Sequence, residues 1–216
     1  MQTITARIIA AALFAGLATS AGAGIVVDNG LPNQSGGSEL NEFLEADDFT
    51  LGAASTSLNL IRFWSLQSDA SDYAGSIEWS IRQDAAGVPG AISASGSATP
   101  TGVDTLNSAF GLEEFRYEFA INATLAAGNY WLVLHNGPNA SQPTTSFYWE
   151  WSQDTGNSQN FDLPVPTQGW TGNFSELAFQ LEDKSTSVPE PATILLIGAG
   201  LAALVTRRRH QVIRAA

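Results

Sequence analysis

Apolar and polar residues alternate along most of the chain between residues 24 and 183, and that alternation predicts its elements. In "GSIEWSIRQD", Ile77, Trp79 and Ile81 point one way while Glu78, Ser80 and Arg82 point the other. A period of two marks a strand with one buried face. The same reading puts Phe115, Tyr117, Phe119 and Ile121 on one side of "EEFRYEFAI", with Arg116, Glu118 and Ala120 opposite. In "SFYWEW", Phe147, Trp149 and Trp151 oppose Tyr148 and Glu150. In "ELAFQLED", Leu177, Phe179 and Leu181 face inward. Two stretches, Leu58 to Leu66 and Tyr130 to Leu134, are apolar on both faces and predict central strands.

Weaker signals fill the rest. A short strand is expected at Ile25 to Val27, followed by turns around Asp28-Asn29-Gly30 and Ser35-Gly36-Gly37. "NEFLEADDFTL" predicts one helical turn and then a strand beginning near Asp48. "AGVPGA" at Ala86 to Ala91 predicts a turn leading into a small-residue strand, "AISASGSA". Eight or nine strands with no long helix predict an all-β fold, an antiparallel β-sandwich of jelly-roll type over residues 24–183.

The two ends follow different rules. Met1 to Arg7 carries one basic residue, Ile8 to Ala18 is apolar throughout, and small residues precede a cut after Ala23. That layout predicts a secretory signal peptide over residues 1–23, handled by the secretion translocon and signal peptidase. Residues 184–188 form a short polar linker that runs up to Pro189. Beyond it, Ala192 to Val205 is a run of fourteen apolar or small residues, fenced by Pro189-Glu190-Pro191 and by Arg207, Arg208 and Arg209. Fourteen helical residues reach roughly 21 Å, short of the ~30 Å hydrocarbon core. A transmembrane segment over 192–206 is therefore marginal, with Gly198 and Gly200 weakening it further. The arginines place residues 211–216 on the cytoplasmic side and the body outside.

This ordered set resembles the PEP-CTERM sorting signal of Gram-negative bacteria, here spanning 189–210. The resemblance implies a membrane protease-transpeptidase of the exosortase type as partner, with processing near Pro189, Glu190 and Pro191. It also implies transient residence in the inner membrane, body in the periplasm, and then the outer surface or an extracellular polysaccharide matrix. The body in turn resembles the β-rich domain that often precedes this signal, through "DDFTL", "IRFW", "GSIEWSIRQD", "AGNYWLVL", "WEW" and "ELAFQL".

Charge narrows the partners. All the acidic residues but Glu190 lie in the body, twenty against four bases (Arg62, Arg82, Arg116 and Lys184), for a net charge of about −16. Such a body repels nucleic acid and anionic surfaces. With no cysteine, no disulfide reinforces it, and stability must come from burying aromatics: all six Trp, all four Tyr and ten of the chain's eleven Phe lie in the body.

Catalytic constellations are sparse. The body holds a single histidine, His135, and neither a Gly-x-Ser-x-Gly nor a His-Glu-x-x-His stretch, so a non-enzymatic role is expected. Asp28, Asp47 and Asp48 offer carboxylates that suit a structural calcium ion, and no other cofactor is expected. Trp64, Tyr148, Trp151 and Trp170 are candidates for stacking on sugar rings. The expected function is a structural or adhesive protein of the cell surface or exopolysaccharide matrix, with a non-catalytic carbohydrate-binding module as the alternative.

Overall fold

The computed structural model describes residues 24–52, 56–138, 146–154, 159–162, 169–172 and 175–183. The expected signal peptide, linker and transmembrane segment, with the sorting tail and basic cluster, lie outside the described residues. Residues 23–184 make up one compact unit.

Thirteen strands are described: β1 (Gly24–Asp28), β2 (Pro32–Glu39), β3 (Phe43–Leu51), β4 (Thr56–Gln67), β5 (Ile77–Asp84), β6 (Pro89–Ala98), β7 (Val103–Ala109), β8 (Leu112–Leu125), β9 (Gly128–Asn136), β10 (Phe147–Ser152), β11 (Gln159–Asp162), β12 (Thr171–Gly172) and β13 (Phe179–Asp183). The one helical element among the described residues is a 3-10 turn at Ala70–Asp72, capped by Asp69. The fold is all-β and antiparallel, as the alternation predicted. No described helix is long and apolar enough to cross a membrane.

The strands form two sheets. In the first, β4 pairs with β8 along almost its whole length, from Thr56 opposite Leu125 to Gln67 opposite Glu113. Two strands share the other edge of β4: β13 lies along Leu58 to Phe63, and β10 along Ser65 to Gln67. The outer strands β1, β2 and β7 then attach to β13, β10 and β8. The second sheet runs β12-β11-β3-β9-β5-β6.

The predicted inward residues meet between the sheets. Phe63, Tyr117, Phe119, Phe147, Trp149 and Phe179 from the first sheet share one core with Phe49, Ile77, Ile81, Tyr130, Leu132 and Leu134 from the second. Aromatic contacts run within each sheet and cross the gap at Phe179 and Phe49. Trp149 meets Phe63 edge-on at 6.2 Å and Phe179 at 5.9 Å. Phe179 meets Phe49 at 6.2 Å, and Phe49 stacks on Tyr130 at 5.8 Å. These offset and edge-to-face geometries are the favourable ones for π systems.

Three local expectations are corrected. The helical turn before Asp48 is absent. Strand β3 begins at Phe43, because Glu45 to Leu51 pair with β9 and Phe43 to Ala46 with β11. The glycine-rich stretch read as turns is largely β2. It lacks strand propensity but pairs with β10, and Trp151 requires its glycine: a Cβ on Gly36 (φ +150°) would meet the indole at 2.6 Å. Strand β7 was not anticipated at all, since "VDTLNSA" alternates poorly and is mostly exposed.

Trp149 has no solvent exposure, and its Nε1 donates to the Ala178 carbonyl at 2.9 Å. Replacing it with alanine leaves a large cavity, and Trp149→Ala should cost ~3–5 kcal/mol in urea unfolding. Trp149→Phe fills more of that cavity but strands the Ala178 carbonyl, so its loss should be smaller yet at least ~1 kcal/mol. A Trp149→Ala loss below that level would show that the sheets are held together elsewhere.

Candidate functional site

The outward positions of β5 define a cleft on the second sheet. Because Ile77, Trp79 and Ile81 face the core, Glu78, Ser80 and Arg82 line the outer face of the second sheet. Together with Ser95 and Ile92 of β6, Val133 of β9 and Leu44 of β3 they bound an open cleft of about 230 Å³. Leu44, Val133 and Ile92 contribute apolar surface, and Glu78, Ser80, Arg82 and Ser95 contribute charges and hydroxyls.

This face is not an ordinary solvated exterior. Ala46, Trp131 and Val133 form a second, smaller core on it, with Leu44 and Trp170 packed over them. Trp131 is anchored by its Nε1, which donates to Asp84 Oδ1 at 2.9 Å. Arg82 extends over the Trp170 ring, its Cζ 5.7 Å from the centroid, and its Nε donates to Ser80 Oγ at 3.2 Å. Partial burial pulls its pKa down, but a guanidinium stays protonated.

The other described arginines are committed to acids. Arg62 pairs with Glu118 at 2.6 Å and Glu182 at 2.8 Å, and Arg116 pairs with Glu118 at 2.9 Å. Among the described residues, Arg82 is the basic side chain that enters no ion pair. The acids on its own strand have partners: Glu78 accepts from Ser97 Oγ at 2.6 Å, and Asp84 also accepts from the Gly87 amide at 3.0 Å.

The sugar-stacking candidates are separated. Trp64 is only 7 % exposed, on the outer face of the first sheet. Tyr148, half-buried, sits opposite Glu39 and Leu66. Trp151 packs against the main core, and its Nε1 donates to Ser38 Oγ at 3.3 Å. Trp170 alone stands beside the cleft. The four do not form one platform.

The calcium candidates diverge as well. Asp47 and Asp48 are adjacent on β3, so their side chains leave opposite faces. Asp47 points inward with no exposure, accepting from Asn29 Nδ2 at 2.9 Å, the Leu177 amide at 2.5 Å and the Asp48 amide at 3.0 Å. Asp28 accepts from Gln180 Nε2 at 3.2 Å. Among the described residues, no three His, Cys, Asp or Glu side chains are grouped to hold a metal ion.

Two sets of buried carboxyls escaped the sequence reading. At one end of the sandwich, burial pushes Glu45 up to about 9, with Glu39 and Asp47 adding repulsion. Burial, reinforced by Glu176, holds Asp47 well above the ordinary carboxylate range. On the first sheet, burial and then the neighbouring Glu114 push Glu150 up to about 8. Glu114 accepts from Thr105 Oγ1 at 2.6 Å and Asn107 Nδ2 at 3.1 Å, and Glu150 accepts from the Gln34 amide at 2.9 Å. Residues of β2 and β7 thus bury this pair. His135 is 1 % exposed, with Nδ1 2.8 Å from the Gly137 carbonyl and Nε2 3.1 Å from that of Asn41.

Residues 187–209 match the PEP-CTERM protein-sorting motif. The motif implies an exported chain processed by an exosortase and anchored in the membrane only transiently. No curated protein matches the chain.

The raised carboxyls set a pH dependence. In the unfolded chain they lose their protons near the ordinary value of 4.5, whereas in the fold Glu150 and Glu45 keep them until about 8 and about 9. The folded state therefore binds more protons throughout that window, and its stability falls as pH rises. Melting temperature should drop steadily from pH 5 to pH 9, and a loss of ~2 kcal/mol corresponds to roughly 4–8 °C for a chain of this size. Glu150→Gln, which cannot ionise, should flatten the slope. A melting temperature that rises across the window would exclude neutral buried carboxyls.

Proposed function

We propose that the body is a non-catalytic structural or adhesive component of an extracellular polymer layer. The observation that carries this reading is the sorting motif at residues 187–209, joined to an acidic all-β body. A protein exported by this route works among surface polymers. A cysteine-free sandwich held by aromatic packing suits a load-bearing role in which no disulfide has to form.

The disposition of the reactive side chains supports a role without catalysis. The acid pair that most resembles a hydrolytic dyad, Glu114 and Glu150, is 2 % and 0 % exposed. Neither carboxyl can reach a glycosidic oxygen while the strands covering it remain in place. His135 is equally inaccessible. A second reading, a carbohydrate-binding module, is favoured by the cleft on the second sheet, whose wall combines apolar side chains with hydrogen-bonding groups.

Fractionation of the producing cells tests the first reading. The processed chain should be recovered with the extracellular polymer. Mass spectrometry should place its C-terminus near Pro189 to Pro191, with Arg207, Arg208 and Arg209 removed. Recovery of the chain only in the inner membrane, arginines retained, would leave a plain single-pass anchor as the better account.

A further inference from the structure

We infer that the cleft on the outer face of the second sheet binds a carboxylated sugar, with Arg82 receiving the carboxylate. This rests on reading the body as a matrix protein, and it adds a site and a ligand class to that reading.

The first argument is charge complementarity. In a body carrying about −16 overall, a cation at the edge of a cleft would ordinarily be claimed by an acid, as Arg62 and Arg116 are. Arg82 is instead held in place by Trp170 and Ser80. Stacking against an indole keeps the guanidinium oriented and partly desolvated while leaving donors in its planar fork for a ligand. A fixed fork suits a carboxylate, which it can engage through paired charge-assisted hydrogen bonds.

The second argument is the shape and chemistry of the wall. A pyranose presents C–H patches and hydroxyls around one rigid ring. The cleft offers Leu44, Val133 and Ile92 (55 % exposed) for the former and Ser80, Ser95 and Glu78 for the latter. Its volume, about 230 Å³, lies below the ~300–1,000 Å³ typical of pockets for drug-sized molecules, which fits a single ring of a longer polymer. The open geometry of a sheet face lets the polymer continue in both directions.

A neutral sugar would leave the half-buried guanidinium without its counter-charge. A simple polyanion would leave the apolar side chains unused. The ligand must therefore supply both ring and charge.

The test uses the full chain in detergent micelles at about 0.15 M salt, where the Debye length near 8 Å screens the general repulsion between the acidic body and a polyanion. Binding of an oligogalacturonate is measured by calorimetry and compared with its methyl ester, which keeps every ring and removes every charge, and with polyglutamate, which keeps only charge. The oligogalacturonate should bind at least about tenfold more tightly than either, the order of one charge-assisted contact. Arg82→Gln should lose that preference, with the ester's affinity unchanged, and circular dichroism should show an intact sheet signal.

Equal binding of the ester, equal binding of polyglutamate, or an unaltered preference in Arg82→Gln would each overturn the assignment, as would no binding at all. The first two comparisons use the natural chain, so they decide the matter even if the variant misfolds. Recovery of the natural chain with the extracellular polymer is read separately. If the chain stays with the matrix while the oligogalacturonate preference fails, the site is wrong and the matrix role stands. If the chain never reaches the matrix, the role itself fails.

Discussion

Trp149 has to satisfy three strands at once, and the rest of the sandwich is arranged around that demand. Its ring lies edge-on to Phe63 of β4 and Phe179 of β13, and its indole nitrogen holds the carbonyl of Ala178, just before β13. The consequence reaches the sheet's topology. β10 and β13 divide one edge of β4 between them, and such a split edge needs something to hold the two strands at a common depth. A large, rigid side chain with one polar handle does this at low entropic cost, because only two torsions are fixed on burial. The contact continues outward, since the segment ordered by Ala178 carries Leu177, whose amide is the shortest donor to Asp47.

That chain of contacts explains why carboxyls end up inside. β3 alternates strictly, and its inward set runs Glu45, Asp47, Phe49, Leu51. The last two join the aromatic core; the first two occupy the end of the sandwich, where Asn29, Ser38 and Leu177 supply donors. An ionised carboxylate there would be desolvated and close to another, so the neutral form prevails. Hydrogen bonds then tie β1, β2, β3 and the approach to β13 together where apolar packing runs out. Hydrogen bonds do the same for Glu114 and Glu150, which join β8 and β10 to β7 and β2.

Most of the fold was legible because it follows from a local rule. Residues two apart share a face, so the inward sets of β5, β8, β10 and β13 could be read off directly, and they all lie in the single core. Applied consistently, that rule also shows that Asp47 and Asp48 cannot converge on one ion. What remained hidden depends on which distant segment covers an outward face. Glu150 was read as outward and is outward, yet β2 lies over it, and nothing in "SFYWEW" announces that cover. Arg82 was placed on the correct face, but its partner Trp170 arrives from beyond β11, and no periodicity links the two. The strand at Pro32–Glu39 was obscured for the opposite reason. Its glycines are poor in strand propensity, but Gly36 admits the Trp151 ring and Gly37 the close approach of the Trp149 backbone.

The two sheets differ in what they do with their outer faces, and this difference gives the molecule its polarity. The first sheet seals part of its exterior with β2, β7 and the Arg62 network, in which one guanidinium joins β4, β8 and β13 through Glu118, Gln180 and Glu182. Pairs of this kind add little stability where solvent reaches them, and their effect is to fix strand registry and neutralise cations. The second sheet builds a small apolar layer outside itself, from Ala46, Trp131 and Val133 under Trp170, and leaves Arg82 at its margin. This layer adds apolar burial of its own, since Ala46, Trp131 and Val133 are almost fully covered. Its effect is to hold an indole and a guanidinium in fixed positions beside an open cleft. In a body otherwise covered with acids, a rigid cation next to apolar side chains gives an anionic ring a counter-charge, while Glu78 on the same strand is held by Ser97.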